Sequence, residues 1–151
     1  MSKLEEYMKN ERKKLEQTEK FIEEKRKEKQ LENFKTNYFI LKKDVIVPAL
    51  KKAFEEINNG GFAKAELKDY SSKLNYMDEY TDSIDITRRK KHIRLDIIGQ
   101  YQFNYIYFKF TSDITRNRFI KGNFQEMIYD FSKLTTDLID EKIIKMLEIL
   151  K

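Results

Sequence analysis

The chain has 151 residues, 40% hydrophobic and 38% charged, with 31 Lys and Arg against 26 Asp and Glu for a net charge of +5. That length and apolar content fill one domain core. The absence of cysteine excludes disulfides, thiolate nucleophiles and cysteine-ligated metals, and no run approaches the roughly 18 apolar residues of a membrane span.

The opening S-K-L-E-E carries no apolar leader region, so a cytoplasmic location is the expectation. Residues 1–33 hold ten basic and nine acidic residues without Gly or Pro. Glu5 with Lys9, Glu16 with Lys20 and Glu23 with Lys27 are i, i+4 pairs in the favourable order. The spacing predicts a charged helical arm over 1–33 that precedes an α+β domain over 34–151. The arm's seam runs Leu4, Met8, Glu11, Leu15, Thr18, Ile22, Lys25, Lys29, and only half of it is apolar. A sustained coiled coil keeps its seam for three or four heptads, so the arm is either mostly solvated or has a short or polar partner. Leu4, Met8, Leu15, Phe21 and Ile22 are the candidate partner-binding residues.

Phe34 to Asn59 predicts a second helix, with Phe39, Ile46, Leu50, Ala53 and Ile57 on one face. Pro48 demands a break or kink near Asp44 to Pro48, and Asn58-Asn59-Gly60-Gly61 stops the helix. Phe62 to Leu67 reads as a first strand and Lys68 to Asp82 as loop with a short strand, whose acids, with Asp85, are taken as solvated. Ile84 to Thr87 is read as a strand end. His92 to Thr111 is the clearest sheet segment. Ile93, Leu95 and Ile97 alternate with polar residues, Gly99-Gln100 is expected to break the run, and Tyr101 to Phe110 supplies a second strand. Arg116 to Lys121 is expected to form a third long strand, and Phe124 to Leu134 a short strand plus loop. From Thr135 or Thr136 the end is helical, with Ile139, Ile143, Met146, Leu147 and Leu150 on one face. The expected fold is α+β: a central antiparallel sheet of three to five strands with two packing helices, preceded by the charged arm. That order of elements is similar to small secretion chaperones and many bacterial or phage modules, a likeness of architecture that transfers no function.

Arg88, Arg89, Lys90, Lys91 and Arg94 form the one dense basic cluster, with Arg116 and Arg118 expected to join it. Such cations neutralise phosphates, and the neighbouring Tyr101, Phe103, Tyr105 and Tyr107 would offer a stacking platform. Against this, those aromatics read better as core, and a hairpin would fold Asp78, Glu79, Asp82 and Asp85 onto the bases. A single histidine, His92, without a nucleophile elbow gives no catalytic set. Glu66-Leu67-Lys68 has the E-x-K form of a nuclease strand, yet the nearest upstream acids fall in a helical segment. No cofactor, metal site, small-molecule substrate or membrane association is indicated. The expectation is a non-enzymatic interaction or adaptor protein docking through its arm on a protein partner or on itself, with nucleic-acid binding as the alternative.

Overall fold

The computed structural model describes residues 2–69, 79–112 and 127–151. The strand expected over 116–121, with Arg116 and Arg118, lies outside the described residues. Helix α1 spans Lys3–Leu41, a π-helical turn Lys42–Ile46, and helix α2 Val47–Gly60. Strands β1 (Lys64–Asp69), β2 (Glu79–Arg88), β3 (Lys91–Gln100), β4 (Tyr105–Ser112) and β5 (Met127–Ile128) precede a 3-10 turn, Phe131–Lys133, and helix α3, Thr136–Ile149. The expected α+β fold is the fold observed.

Ser2 starts α1: its Oγ accepts the Glu5 N–H at 3.1 Å, and Glu5 and Glu6 stand in the first turn, where acids complement the helix dipole. The helix does not break at residue 33, where the arm was expected to end. It runs on without interruption to Leu41, because Phe34, Tyr38 and Leu41 bury there and hold it. The α-helical hydrogen bonding is interrupted just before Pro48, within the stretch where a break or kink was expected. In an unbroken helix the proline ring would strike the carbonyl of Asp44. The turn instead widens over 42–46, with the Val47 N–H reaching back to the Lys42 carbonyl. Gly61, at φ 74°, closes α2 in the left-handed region.

The five strands form an antiparallel meander in chain order. Ile84 faces Leu95, Ile86 faces Ile93, and Ile97 faces Phe108, so one sheet face presents a continuous aliphatic and aromatic surface. Phe34, Tyr38, Leu50, Ile57, Ile139, Ile143 and Met146 join it in a single buried cluster. At about 25 cal/mol per Å², removing these side chains from water is the main force holding helices to sheet.

Three sequence expectations need correction here. The strand end at Ile84 to Thr87 is part of the ten-residue β2, which begins at Glu79 inside the expected loop. Tyr80 and Asp82 share the inward parity of Ile84 and Ile86, and both are buried. Gly99 and Gln100 do not break the central hairpin; they end β3, and Tyr101 to Asn104 makes the turn. Gly99 stays in the strand, paired with Tyr80 and Ile106, and its missing side chain makes room for two rings: an added Cβ would sit 2.7 Å from Tyr38 Cδ2 and 3.0 Å from Phe34 Cζ. Finally, Tyr105 and Tyr107 are not core, since Ile106 and Phe108 take the inward parity.

Candidate interaction surfaces

The first surface is the arm. At about 100° per residue, Leu4, Met8, Leu15 and Ile22 fall within about 40° of one another. Their side chains are exposed, Leu15 at 58% and Ile22 at 60%. Ile40, 55% exposed, lies on the same line further down the helix. Leu31, Phe34, Tyr38 and Leu41, which meet the body, lie roughly 125° round the helix axis. The continuity of α1 therefore turns the apolar stripe away from the protein's own core. Phe21 is also exposed but sits off this stripe, with Lys25 Nζ 5.6 Å from its ring centre. Charge covers the remaining faces: Arg26 bridges Glu23 at 2.6 Å, and Lys14 bridges Glu11 at 3.4 Å.

The second surface is the tip of the β2–β3 hairpin. Its two-residue turn is Arg89-Lys90, with Arg89 at φ 57°, a backbone region that non-glycine residues seldom adopt. Arg89, Lys90 and Lys91 are exposed. The other two described cations of the cluster serve the fold. Arg88 donates to the Leu150 carbonyl at 3.1 Å, capping the end of α3, and its guanidinium stacks 4.1 Å above the Phe62 ring. Arg94 grips Asp85 with both Nε (2.6 Å) and Nη2 (3.2 Å). The pairing of Asp85 with Arg94 across β2 and β3 is the hairpin folding acids onto bases.

Asp85 is the hub of a charged patch on the sheet face away from the helices. Lys68 Nζ lies 3.2 Å away and His92 Nε2 3.3 Å away. Burial pushes its carboxyl up, but Arg94, Lys68 and His92 outweigh that and hold it below the usual carboxylate range. One register step along, Asp96 accepts a hydrogen bond from the Ser83 hydroxyl, and burial leaves its carboxyl above the usual range. Glu79 accepts from the Tyr107 hydroxyl at 2.5 Å. Burial first, and then the Glu79 carboxylate, raise the Tyr107 phenol. On the core face, Asp82 accepts from the Tyr38 hydroxyl at 2.8 Å and pairs with Lys42 at 3.4 Å, tying α1 and the π turn to the sheet.

Of the four acids expected to be solvated, Asp78 lies outside the described residues and the other three are buried: Glu79, Asp82 and Asp85 are each under 8% exposed, because each finds a cation or a phenol. Parity carried the one available sequence signal, since Asp82 alternates with Tyr80, Ile84 and Ile86. The Glu66-Leu67-Lys68 triplet does meet a paired-strand acid, Asp85, opposite Glu66 in register. That acid stands on the strand that follows the triplet, and Lys68 is one of three cations spent on it. Among the described residues no three His, Asp or Glu side chains gather as metal ligands, and no helix is long and apolar enough to cross a membrane.

The aromatics form a third surface. Phe103, Tyr105, Tyr107 and Tyr129 cluster with ring centres 5.6–6.0 Å apart, and Phe103 and Tyr129 are more than 60% exposed. They do not adjoin the basic tip, as the sequence suggested. The ten-residue β3 separates the two ends by roughly 30 Å. No protein-family model, curated protein or solved structure matches this chain.

Proposed function

We propose that the protein is a non-enzymatic interaction protein whose N-terminal helical arm docks on a protein partner or on a second copy. The observation that supports this reading most is the exposed stripe of Leu4, Met8, Leu15 and Ile22, carried on a helix anchored in the core through Phe34 and Tyr38. A helix presenting apolar anchors four and seven residues apart along one face suits recognition by a groove or a second helix. The anchored root spares the body from reorganising on docking, which lowers the ordering cost. The test is full-length protein with Leu15→Asp and Ile22→Asp together. The double variant keeps the wild-type melting profile but loses its bound protein or its oligomeric mass. Unchanged mass and unchanged bound proteins would show the arm to be passive.

Nucleic-acid binding is the second reading, and its support is narrower than the sequence offered. Three exposed cations, Arg89, Lys90 and Lys91, project at one hairpin tip, while Arg88 and Arg94 are engaged internally. Contact through those three gives a salt slope of about 3 in log units. Replacing them with Ala removes any such binding without unfolding the protein, and no binding of DNA or RNA at low salt would end this reading.

A further inference from the structure

We infer that the arm's partner is the arm of a second copy, lying antiparallel and centred on Leu15; this rests on the proposed docking role and specifies its occupant. Four observations converge on it. Met8, Leu15 and Ile22 are spaced by seven residues, so reversing the helix about Leu15 sets Met8 against Ile22 of the second copy and Leu15 against its own equivalent. A flank of charges beside that line reverses in step. Glu5, Arg12, Glu19 and Arg26 also recur every seven residues with alternating sign, at one edge of the stripe. In the reversed arrangement Glu5 meets Arg26 and Arg12 meets Glu19, twice over. All of these side chains are exposed, and the short Arg26–Glu23 bridge within the arm is a solvent-screened contact that re-forms or exchanges at little cost.

Orientation is decided by the polar residues of the seam. A parallel pair would stack Glu11 on Glu11, Lys25 on Lys25 and Lys29 on Lys29 of the second copy, like charge on like charge. The antiparallel pair sets Glu11 beside Thr18 and Lys25 beside Leu4. Length fits as well. In this register Ser2 comes level with Glu28 of the second copy, and the body of each molecule begins near Gln30 and Leu31, the first partly buried side chains of α1. Each arm therefore ends where the other molecule's body starts, with the full overlap used and no body in the way. The stripe faces away from each copy's own core, which leaves it open to the second arm.

The experiment uses the full-length chain and follows mass by light scattering across a range of concentration. Wild type shifts between one and two copies, and Leu15→Asp with Ile22→Asp abolishes the shift. Glu19→Arg sets Arg against Arg at two contacts and weakens association roughly tenfold, while adding Arg12→Glu restores it to within about threefold. Because the chain has no cysteine, Arg12→Cys and Glu19→Cys proteins can be mixed and oxidised. The expected product joins position 12 of one copy to position 19 of the other, in excess over 12–12 and 19–19 products. Preference for 12–12 would overturn the antiparallel register. A dimer indifferent to Leu15→Asp and Ile22→Asp would place the contact elsewhere and overturn the inference. A monomer at every concentration whose stripe still binds a different protein would defeat this inference while leaving the arm's docking role intact.

Discussion

At Gly99 the absence of a side chain is what lets α1 lie on the sheet. Tyr38 and Phe34 occupy the space a Cβ would take, and Tyr38 then reaches Asp82 with its hydroxyl. Gly99→Ala forces two buried rings to shift, an overpacking change that costs about 1–3 kcal/mol. Gly60→Ala, where an added Cβ meets nothing within 4 Å, is neutral or stabilising by up to about 1 kcal/mol. Urea unfolding of the two variants separates these outcomes, and equal midpoints would show that the rings do not depend on Gly99. Such a contact is invisible in a list of residue types, where Gly99 reads as a turn.

Among the elements, α1 is two objects in one helix. Its last turns are held by Phe34, Tyr38 and Leu41, whereas residues 3–29 carry exposed side chains throughout. Ion pairs within an exposed helix are each worth only about 0.2–0.5 kcal/mol, so the arm is stabilised mainly by length, by the Ser2 cap and by its own hydrogen bonds. Amide hydrogen exchange should therefore divide the helix. Amides beyond Phe34 exchange at the rate of global unfolding, and those before Gln30 exchange much faster by local opening. A concentration at which the arm becomes protected would coincide with its docking. Uniform protection along α1 in dilute monomer would contradict this division.

For the whole molecule, stability against pH follows from two carboxyls held in opposite directions. Asp85 sits below its ordinary range through Arg94, Lys68 and His92 despite its burial. Its contribution is present above the unfolded pKa of about 4 and is lost as pH falls through the depressed folded value. Asp96 is raised by burial, so its ionised form opposes folding above the raised value. That penalty is relieved as pH falls through the raised value toward about 4. Asp96→Asn should thus lose the gain in stability expected on mild acidification, and Asp85→Asn should be destabilised at neutral pH and lose less in acid. Denaturation midpoints from pH 7 to pH 3 check both, and identical profiles for wild type and Asp96→Asn would refute the role given to Asp96.

What the sequence by itself determined is whatever periodicity and local chemistry specify. The α+β class, the central strands, α3 with its Thr135 cap, the interruption of the helix before Pro48 and the exposed stripe of Leu4, Met8, Leu15 and Ile22 are all of this kind, because each depends on neighbours a few positions away. Tertiary structure alone decided the rest. It extended α1 to Leu41 through burial of Phe34 and Tyr38, kept Gly99 in a strand beneath two rings, and drew Glu79, Asp82 and Asp85 out of an apparent acidic loop. It also divided the basic cluster between internal pairs and an exposed tip, and parted that tip from the aromatics by the length of β3. In each case the deciding partner lies on another element: Tyr38 is 44 residues from Asp82, and Arg88 is 62 from Leu150. A carboxylate or a guanidinium is committed or free only according to what the fold brings within hydrogen-bonding reach.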